Sequence, residues 1–226
     1  MSNFYVVATP IGNLEDITLR ALRVLKEVDL ILCEDTRTTK ILLDKYEIRT
    51  PTKSYHSHST VAKADFIFNL LEDGKNIALV SDAGTPCISD PGVLIISQIK
   101  EKFGDEAKII PIPGPSALIT ALSASGVPSS EFIFLGFLPH KKGRETLFKE
   151  IAGTKRTYAF YESPHRIMKT LESLVKFTPE RKITIARELT KIYEEYKSGT
   201  ASEILVYFEQ NKDKIRGEFV VIVASN

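Results

Sequence analysis

The sequence predicts an α/β protein of two lobes, with a mostly parallel sheet in residues 1–113, a mixed sheet in residues 114–226 and a ligand cleft between them. Three observations predict it. Short, nearly continuous apolar runs alternate with amphipathic stretches, as when helices cover both faces of a parallel sheet. The densest proline cluster, Pro111-Ile112-Pro113-Gly114-Pro115, falls at mid-chain. Loops rich in Gly, Pro, Ser, Thr and Asp follow the apolar runs.

The apolar runs Phe4–Ala8, Leu30–Cys33, Asn76–Val80 and Lys108–Ile112 read as strands, with Lys53–Tyr55 a weaker one. Val61, Ala64, Phe68 and Leu71 share a helical face, and Gly74 stops that helix. Asp90-Pro91 reads as a cap and a first-turn proline, opening a helix whose Ile96, Ile99 and Phe103 align before Gly104 ends it. Past the proline cluster, Ser116–Ser125 is helical up to Gly126, and Phe132–Leu135, Thr157–Tyr161, Ile183–Ala186 and Phe219–Val223 are strands. Ala201–Gln210 is the last helix; a short polar turn then leads to the final strand, which suggests an antiparallel edge.

Composition narrows the function. The 226 residues hold 30 basic and 29 acidic side chains, a net charge of +1, so any nucleic-acid affinity must come from local clusters. No apolar run approaches the roughly 20 residues that span a bilayer, and the amino terminus lacks a signal-peptide layout. The two cysteines, Cys33 and Cys87, form no CxxC pair, which favours a reducing cytoplasm over a disulfide or zinc framework. Histidines 56, 58, 140 and 165 lack metal-site spacing beyond His56-x-His58, so no metal is expected. Phosphate-cradle, GxGxxG and GxSxG motifs are absent too, which removes the usual support for ATP, nicotinamide and serine-hydrolase readings.

In open α/β sheets ligands collect at the carboxyl ends of strands. The loops predicted there are Thr9–Asn13, Glu34–Thr38, Ser81–Gly92, Pro113–Ser116, Phe137–Pro139, Tyr161–Arg166 and Ala186–Lys191. Each alone has an ordinary explanation in turn and cap chemistry. Their gathering at one end of every strand favours a binding site.

TPIGNLEDIT, CEDTRTT, LVSDAGTPCISDPG, PIPGPSA, the FLP turn and YESPHR stand in this order. Together they closely resemble the tetrapyrrole-methylase-type (class III) methyltransferases. More narrowly the chain resembles the branch that methylates a cytidine ribose 2′-hydroxyl in small-subunit ribosomal RNA. Two features depart from that branch: His56-Ser57-His58-Ser59 stands where His-x-His-Asn is frequent, and the sequence stops soon after Gly217-Glu218-Phe219.

The resemblance implies S-adenosylmethionine in the cleft, a homodimer, and ribosomal RNA or the small ribosomal subunit as partner. It points to Pro10, Ala83, Gly84, Thr85, Ile88, Ser116 and Ala117 as cofactor contacts, with backbone near Leu138, Tyr161, Ala186 and Gly217. Glycine lets backbone approach a ligand, and free N–H groups at the Ser116 helix start can receive a carboxylate. Asp35, Asp82, Asp90 and Glu162 lie in these loops. Asp90 reads as a cap and Asp82 as a brace, which leaves Asp35 and Glu162 as candidate bases for a ribose hydroxyl. Arg37, Lys40, His140, Lys141, Lys142, Arg144, His165 and Arg166 are candidate RNA contacts. Two rival functions are a methyltransferase for a small molecule of tetrapyrrole type and a non-catalytic RNA-binding or assembly factor on the same fold.

Overall fold

A computed structural model describes residues 2–56 and 61–225. The chain forms two compact units, Met1–Ser116 and Ala117–Asn226. Of the His56–Ser59 segment, only His56 lies among the described residues.

In the first unit five parallel strands, β1 (Ser2–Val7), β2 (Leu30–Cys33), β3 (Thr52–Ser54), β4 (Ile77–Leu79) and β5 (Ala107–Ile112), are ordered β3-β2-β4-β1-β5. Helices α1 (Leu19–Glu27) and α2 (Thr36–Lys45) pack Ala21, Val24, Leu25, Leu42 and Leu43 against Val7, Ile31 and Ala78. Helices α3 (Val61–Glu72) and α4 (Val93–Phe103) pack Ile67, Leu71, Ile95 and Ile99 against Phe4, Leu32 and Ile77. Both faces are covered, which is why β2 and β4 are apolar at every position.

The start of α4 differs from expectation. Its N-cap is Gly92, at φ 133°, and no side chain caps the helix. Asp90 is therefore free of the capping duty its place before Pro91 suggests. A Cβ at Gly92 would lie 2.6 Å from Leu79 Cδ2 and 2.7 Å from Cys87 Sγ, so close packing demands glycine there.

The second unit contains α5 (Ala117–Ala124), β6 (Phe132–Phe137), α6 (Arg144–Gly153), β7 (Thr157–Glu162), α7 (Ile167–Phe177), β8 (Lys182–Arg187), β9 (Glu195–Thr200), α8 (Ala201–Gln210) and β10 (Phe219–Val223). Its sheet is ordered β6-β7-β10-β8-β9; β6 and β7 are parallel, whereas β10 runs antiparallel to both β7 and β8. The last strand is thus central rather than at an edge. The antiparallel edge is β9, whose polar sequence EYKSGT has no apolar run to mark it. Residues of α6, α7 and α8 bury one face of the sheet, with Phe148, Leu171, Leu174, Ile204 and Phe208 fully buried. Helix α5 packs on β10.

Arg181, 3% exposed, acts as a staple. Its guanidinium donates to the carbonyls of Ala224, Ile151, Thr154, Arg156 and Val223. Five carbonyl dipoles, rather than a counter-ion, compensate its burial.

Candidate active site

The rim at the carboxyl end of the first sheet is stitched from strand to strand. Thr9 and Gly84 exchange backbone hydrogen bonds at 2.9 and 3.0 Å, and Thr9 Oγ1 donates to the Ser81 carbonyl at 3.2 Å. Thr85 Oγ1 donates to the Pro115 carbonyl at 3.1 Å, and the Asp35 backbone N–H donates to Asp82 Oδ1 at 3.0 Å. The loops after β1, β2, β4 and β5 therefore form one connected rim. Pro10, Ala83, Gly84, Thr85 and Ser116 share it. Gly84 stands at φ 82°, where a Cβ would press on Ile11 at 3.4 Å. Ile88, 46% exposed, sits between Cys87 and Ser89, both of which hold positive φ. Strained backbone of this kind persists only where neighbours over-determine it.

The candidate bases divide by environment. Asp35 caps α2, accepting from the Arg37 backbone N–H at 2.8 Å, and pairs with the Arg37 guanidinium at 2.6 Å. The Arg37 side chain and backbone donors hold its carboxyl down at about 2, a poor proton acceptor. Asp90 moves the opposite way. Burial pushes its carboxyl up to about 6; a hydrogen bond from Ser81 opposes this, and the charges of Glu34 and Asp82 add to it. Glu34 is also raised, by burial and then by Asp82. Sequence reasoning passed over Asp90 because Asp-Pro before a helix looks like a cap. Only the position of Gly92 frees it.

Glu162 is fully buried and fully engaged. Its Oε1 accepts from the Ser163 backbone N–H at 2.8 Å and from Arg166 Nε at 2.7 Å. Its Oε2 accepts from Thr170 Oγ1 at 2.6 Å, with Arg144 Nη2 at 3.7 Å. The two arginines then reach across the unit, Arg166 Nη1 to the Leu138 carbonyl at 2.8 Å and Arg144 Nη1 to the Pro139 carbonyl at 3.2 Å. This is a clamp on the FLP turn. Arg144 and Arg166, each with a side chain 15% exposed, are committed to it and offer little to a phosphate. His140, Lys141, Lys142 and His165 are exposed on the same loops, as are Arg37 and Lys40 on the first unit.

In the second unit β10 runs against β7 and β8, so its start lies at the rim where β6, β7 and β8 end. Phe137, Tyr161, Val220, Ala186 and Tyr196 form one cross-sheet row by register. Tyr161 and Ala186 thus share a row, Leu138 follows it, and Gly217 stands two residues before β10 begins. Gly217, at φ 82°, lies against Glu188, whose Oε1 would sit 1.9 Å from a Cβ. Glu188 and Thr190 also hold positive φ. Beside them, Arg187 Nη1 and Thr190 Oγ1 are buried without a hydrogen-bond partner. A buried unpaired donor is costly, so this rim fits a ligand that supplies acceptors. Among the described residues no group of three His, Cys, Asp or Glu side chains could hold a metal ion. No described helix is long and apolar enough to cross a membrane.

Comparison with known proteins places the chain in a family and agrees with its fold. The model of the tetrapyrrole (corrin/porphyrin) methylases matches residues 3–205, and the chain belongs to that family. Within it, the chain is 49% identical over 224 residues to the ribosomal RNA small subunit methyltransferase I of Halalkalibacterium halodurans, covering 98% of this chain and 75% of that protein. The Thermotoga maritima protein of the same name is 47% identical, with 84% of each chain covered, and the Escherichia coli O157:H7 protein is 46% identical, with 97% and 76% covered. Among solved structures, a cobalt precorrin-4 methyltransferase matches with a TM-score of 0.70 at 16% identity, covering 98% of this chain and 94% of that one. A uroporphyrin-III C-methyltransferase from Thermus thermophilus, complexed with S-adenyl homocysteine, matches with a TM-score of 0.63 at 16% identity, covering 98% and 97%. At such identity these structures speak for the fold alone.

Proposed function

We propose that the protein is an S-adenosylmethionine-dependent methyltransferase of small-subunit ribosomal RNA, acting on a cytidine ribose 2′-hydroxyl. One observation carries the reading: relatives named for small-subunit ribosomal RNA methylation match almost the whole chain at nearly half identity. The bound cofactor supplies a methyl group already activated on a sulfonium, so the protein's task is alignment and removal of one proton. In this reading Pro10, Ala83, Gly84, Thr85, Ile88 and Ser116 are the cofactor contacts of the first unit, and Ala117, Leu138, Tyr161, Ala186 and Gly217 are those of the second. Glu34, Asp82 and Asp90 place negative charge where a cationic ligand is bound.

For the proton, Asp90 replaces Asp35 and Glu162 as the acceptor in this reading. A carboxyl near 6 is ionised at neutral pH yet basic enough to share a proton in the transition state. Glu162 instead positions the FLP turn through Arg144 and Arg166. Phosphate contacts come from the exposed Arg37, Lys40, Lys141, Lys142 and His165, with Lys142→Ala expected to lower the salt dependence of RNA binding. The enzyme works as a homodimer in the cytoplasm, where light scattering of the purified protein would give twice the chain mass.

The test is incubation with labelled cofactor and small ribosomal subunits from a strain lacking the modification. A 2′-O-methyl group blocks alkaline cleavage at its own position, so one protected cytidine is expected. Label on a base, on protein or on a tetrapyrrole would refute the ribose assignment.

A further inference from the structure

Strand β6 is interrupted just before its end. It pairs in register with β7 at Phe132, Ile133 and Phe134, opposite Thr157, Tyr158 and Ala159, then resumes at Phe137 opposite Tyr161. Three steps along β6 therefore match two along β7, and Gly136, at φ 60°, absorbs the extra residue. Without this bulge, residues 134 and 137 would point to opposite faces of the sheet. With it, both rings meet Tyr161, Phe134 at 5.0 Å and 71° and Phe137 at 5.5 Å and 57°. Bulges of this kind re-aim a side chain and gather beside functional sites.

The re-aimed ring is 58% exposed, yet its neighbour Leu138 is 2% exposed and anchors the turn. Two other aromatic rings among the described residues are similarly open, Phe66 and Tyr193. Each has a cation over its face, Lys53 at 4.4 Å and Arg216 at 5.1 Å. Among the described residues no such cation covers Phe137. The chain next runs through exposed His140, Lys141 and Lys142, so an open aromatic face adjoins a basic loop at the end of an edge strand. Single-stranded RNA is held by that pairing, with bases stacked on aromatic rings and phosphates met by lysines.

From this juxtaposition we propose that Phe137 is a stacking platform for an unpaired nucleobase of the RNA, with Lys141 and Lys142 meeting the adjoining phosphates. The inference rests on the RNA reading above. It adds a contact that holds the base by its flat face, so it tolerates any base at that position. The Tyr161 ring behind Phe137 fixes its tilt, which keeps the platform rigid without a ligand.

The experiment compares wild type with Phe137→Leu, Phe137→Ala and Phe137→Trp. Binding to undermodified small ribosomal subunits and to a transcript of their RNA is measured at two salt concentrations, and cofactor affinity by calorimetry. Base–aromatic stacking predicts that Leu and Ala each weaken RNA binding roughly tenfold, while Trp stays within about twofold of wild type. The salt slope and the cofactor affinity should not move in any of the three, which also shows that each variant is folded. RNA affinity of Phe137→Leu equal to wild type would overturn the platform, because leucine keeps the apolar bulk and loses the ring. A fall in cofactor affinity matching the fall in RNA affinity would overturn it too, since the ring would then face the cofactor's adenine. Absence of RNA binding by the wild-type protein would instead refute the RNA reading beneath it.

Discussion

Asp90→Asn separates stability from catalysis in a single substitution. The carboxyl of Asp90 is raised from 3.8 to about 6, chiefly by burial and then by Glu34 and Asp82. At about 1.4 kcal/mol for each tenfold change in proton affinity, a rise of roughly two means that ionised Asp90 weakens the folded state by about 3 kcal/mol. The sign follows from proton binding. The folded protein holds this proton more tightly than the unfolded chain, so the penalty is absent below pH ~4, grows as pH rises to ~6 and is complete above it. Asparagine keeps the shape and removes the charge. The variant should therefore be more stable than wild type at pH 8, by up to about 3 kcal/mol, and nearly equal to it at pH 4. Denaturant unfolding at the two pH values measures the difference. Turnover should move the other way, falling by about 10²–10⁴ if Asp90 accepts the proton, with loss of the limb along which wild-type rate rises through pH ~6. A variant equally stable at both pH values would refute the burial argument. A variant with full activity and an unchanged pH profile would refute the catalytic one.

Four other substitutions test the remaining structure. Glu162→Gln should weaken cofactor binding roughly tenfold by loosening the clamp on Leu138 and Pro139, while the pH–rate limb stays in place; a displaced limb would return Glu162 to the role of base. Gly217→Ala should displace the Glu188 carboxylate from Lys191 and the Glu218 backbone N–H, and calorimetry should show weaker cofactor binding; unchanged affinity would remove Gly217 from the site. Arg181→Met strands several buried carbonyls and should cost about 3–5 kcal/mol in denaturant unfolding; a cost under about 1 kcal/mol would mean water replaces the guanidinium. At Glu195, burial raises the carboxyl, but Arg187, Lys214 and Tyr207 outweigh it and hold it at about 2. Its stabilising effect is present above pH ~4.5 and lost as pH falls towards 2, so Glu195→Gln should destabilise at pH 7 and flatten the acid limb of an unfolding profile.

The fold was legible where apolar patterning carries the signal. β2, β10 and α8 have the bounds that their sequences suggest, because each is framed by turn or cap residues and buried in register. β9 was not legible, since an edge strand with polar side chains has no apolar period to read. The central place of β10 was equally hidden: strand order depends on which neighbours complete the sheet, and a chain reaching its end by a short turn gives no sign of insertion between β7 and β8. Within the candidate site, the motifs name loops and residue types but carry no sign of how each charged side chain is partnered.

That silence has one physical source. A carboxylate's chemistry depends on how many donors reach it and how much water it keeps, and neither is written in a motif. Asp35 and Glu162 stand in loops that look catalytic, yet donors from Arg37, Ser163, Arg166 and Thr170 satisfy their oxygens. Carboxylates engaged in this way hold structure, and at Asp35 the Arg37 donors also hold the carboxyl down at about 2. Asp90 stands where sequence suggests a cap, but the left-handed turn at Gly92 takes that place and leaves its carboxyl among like charges. The same logic sorts the cations. Arg144 and Arg166 give their donors to Glu162 and to two carbonyls, whereas Lys141 and Lys142 on the neighbouring loop are exposed and keep their water, which is why the phosphate contacts proposed above are placed on them.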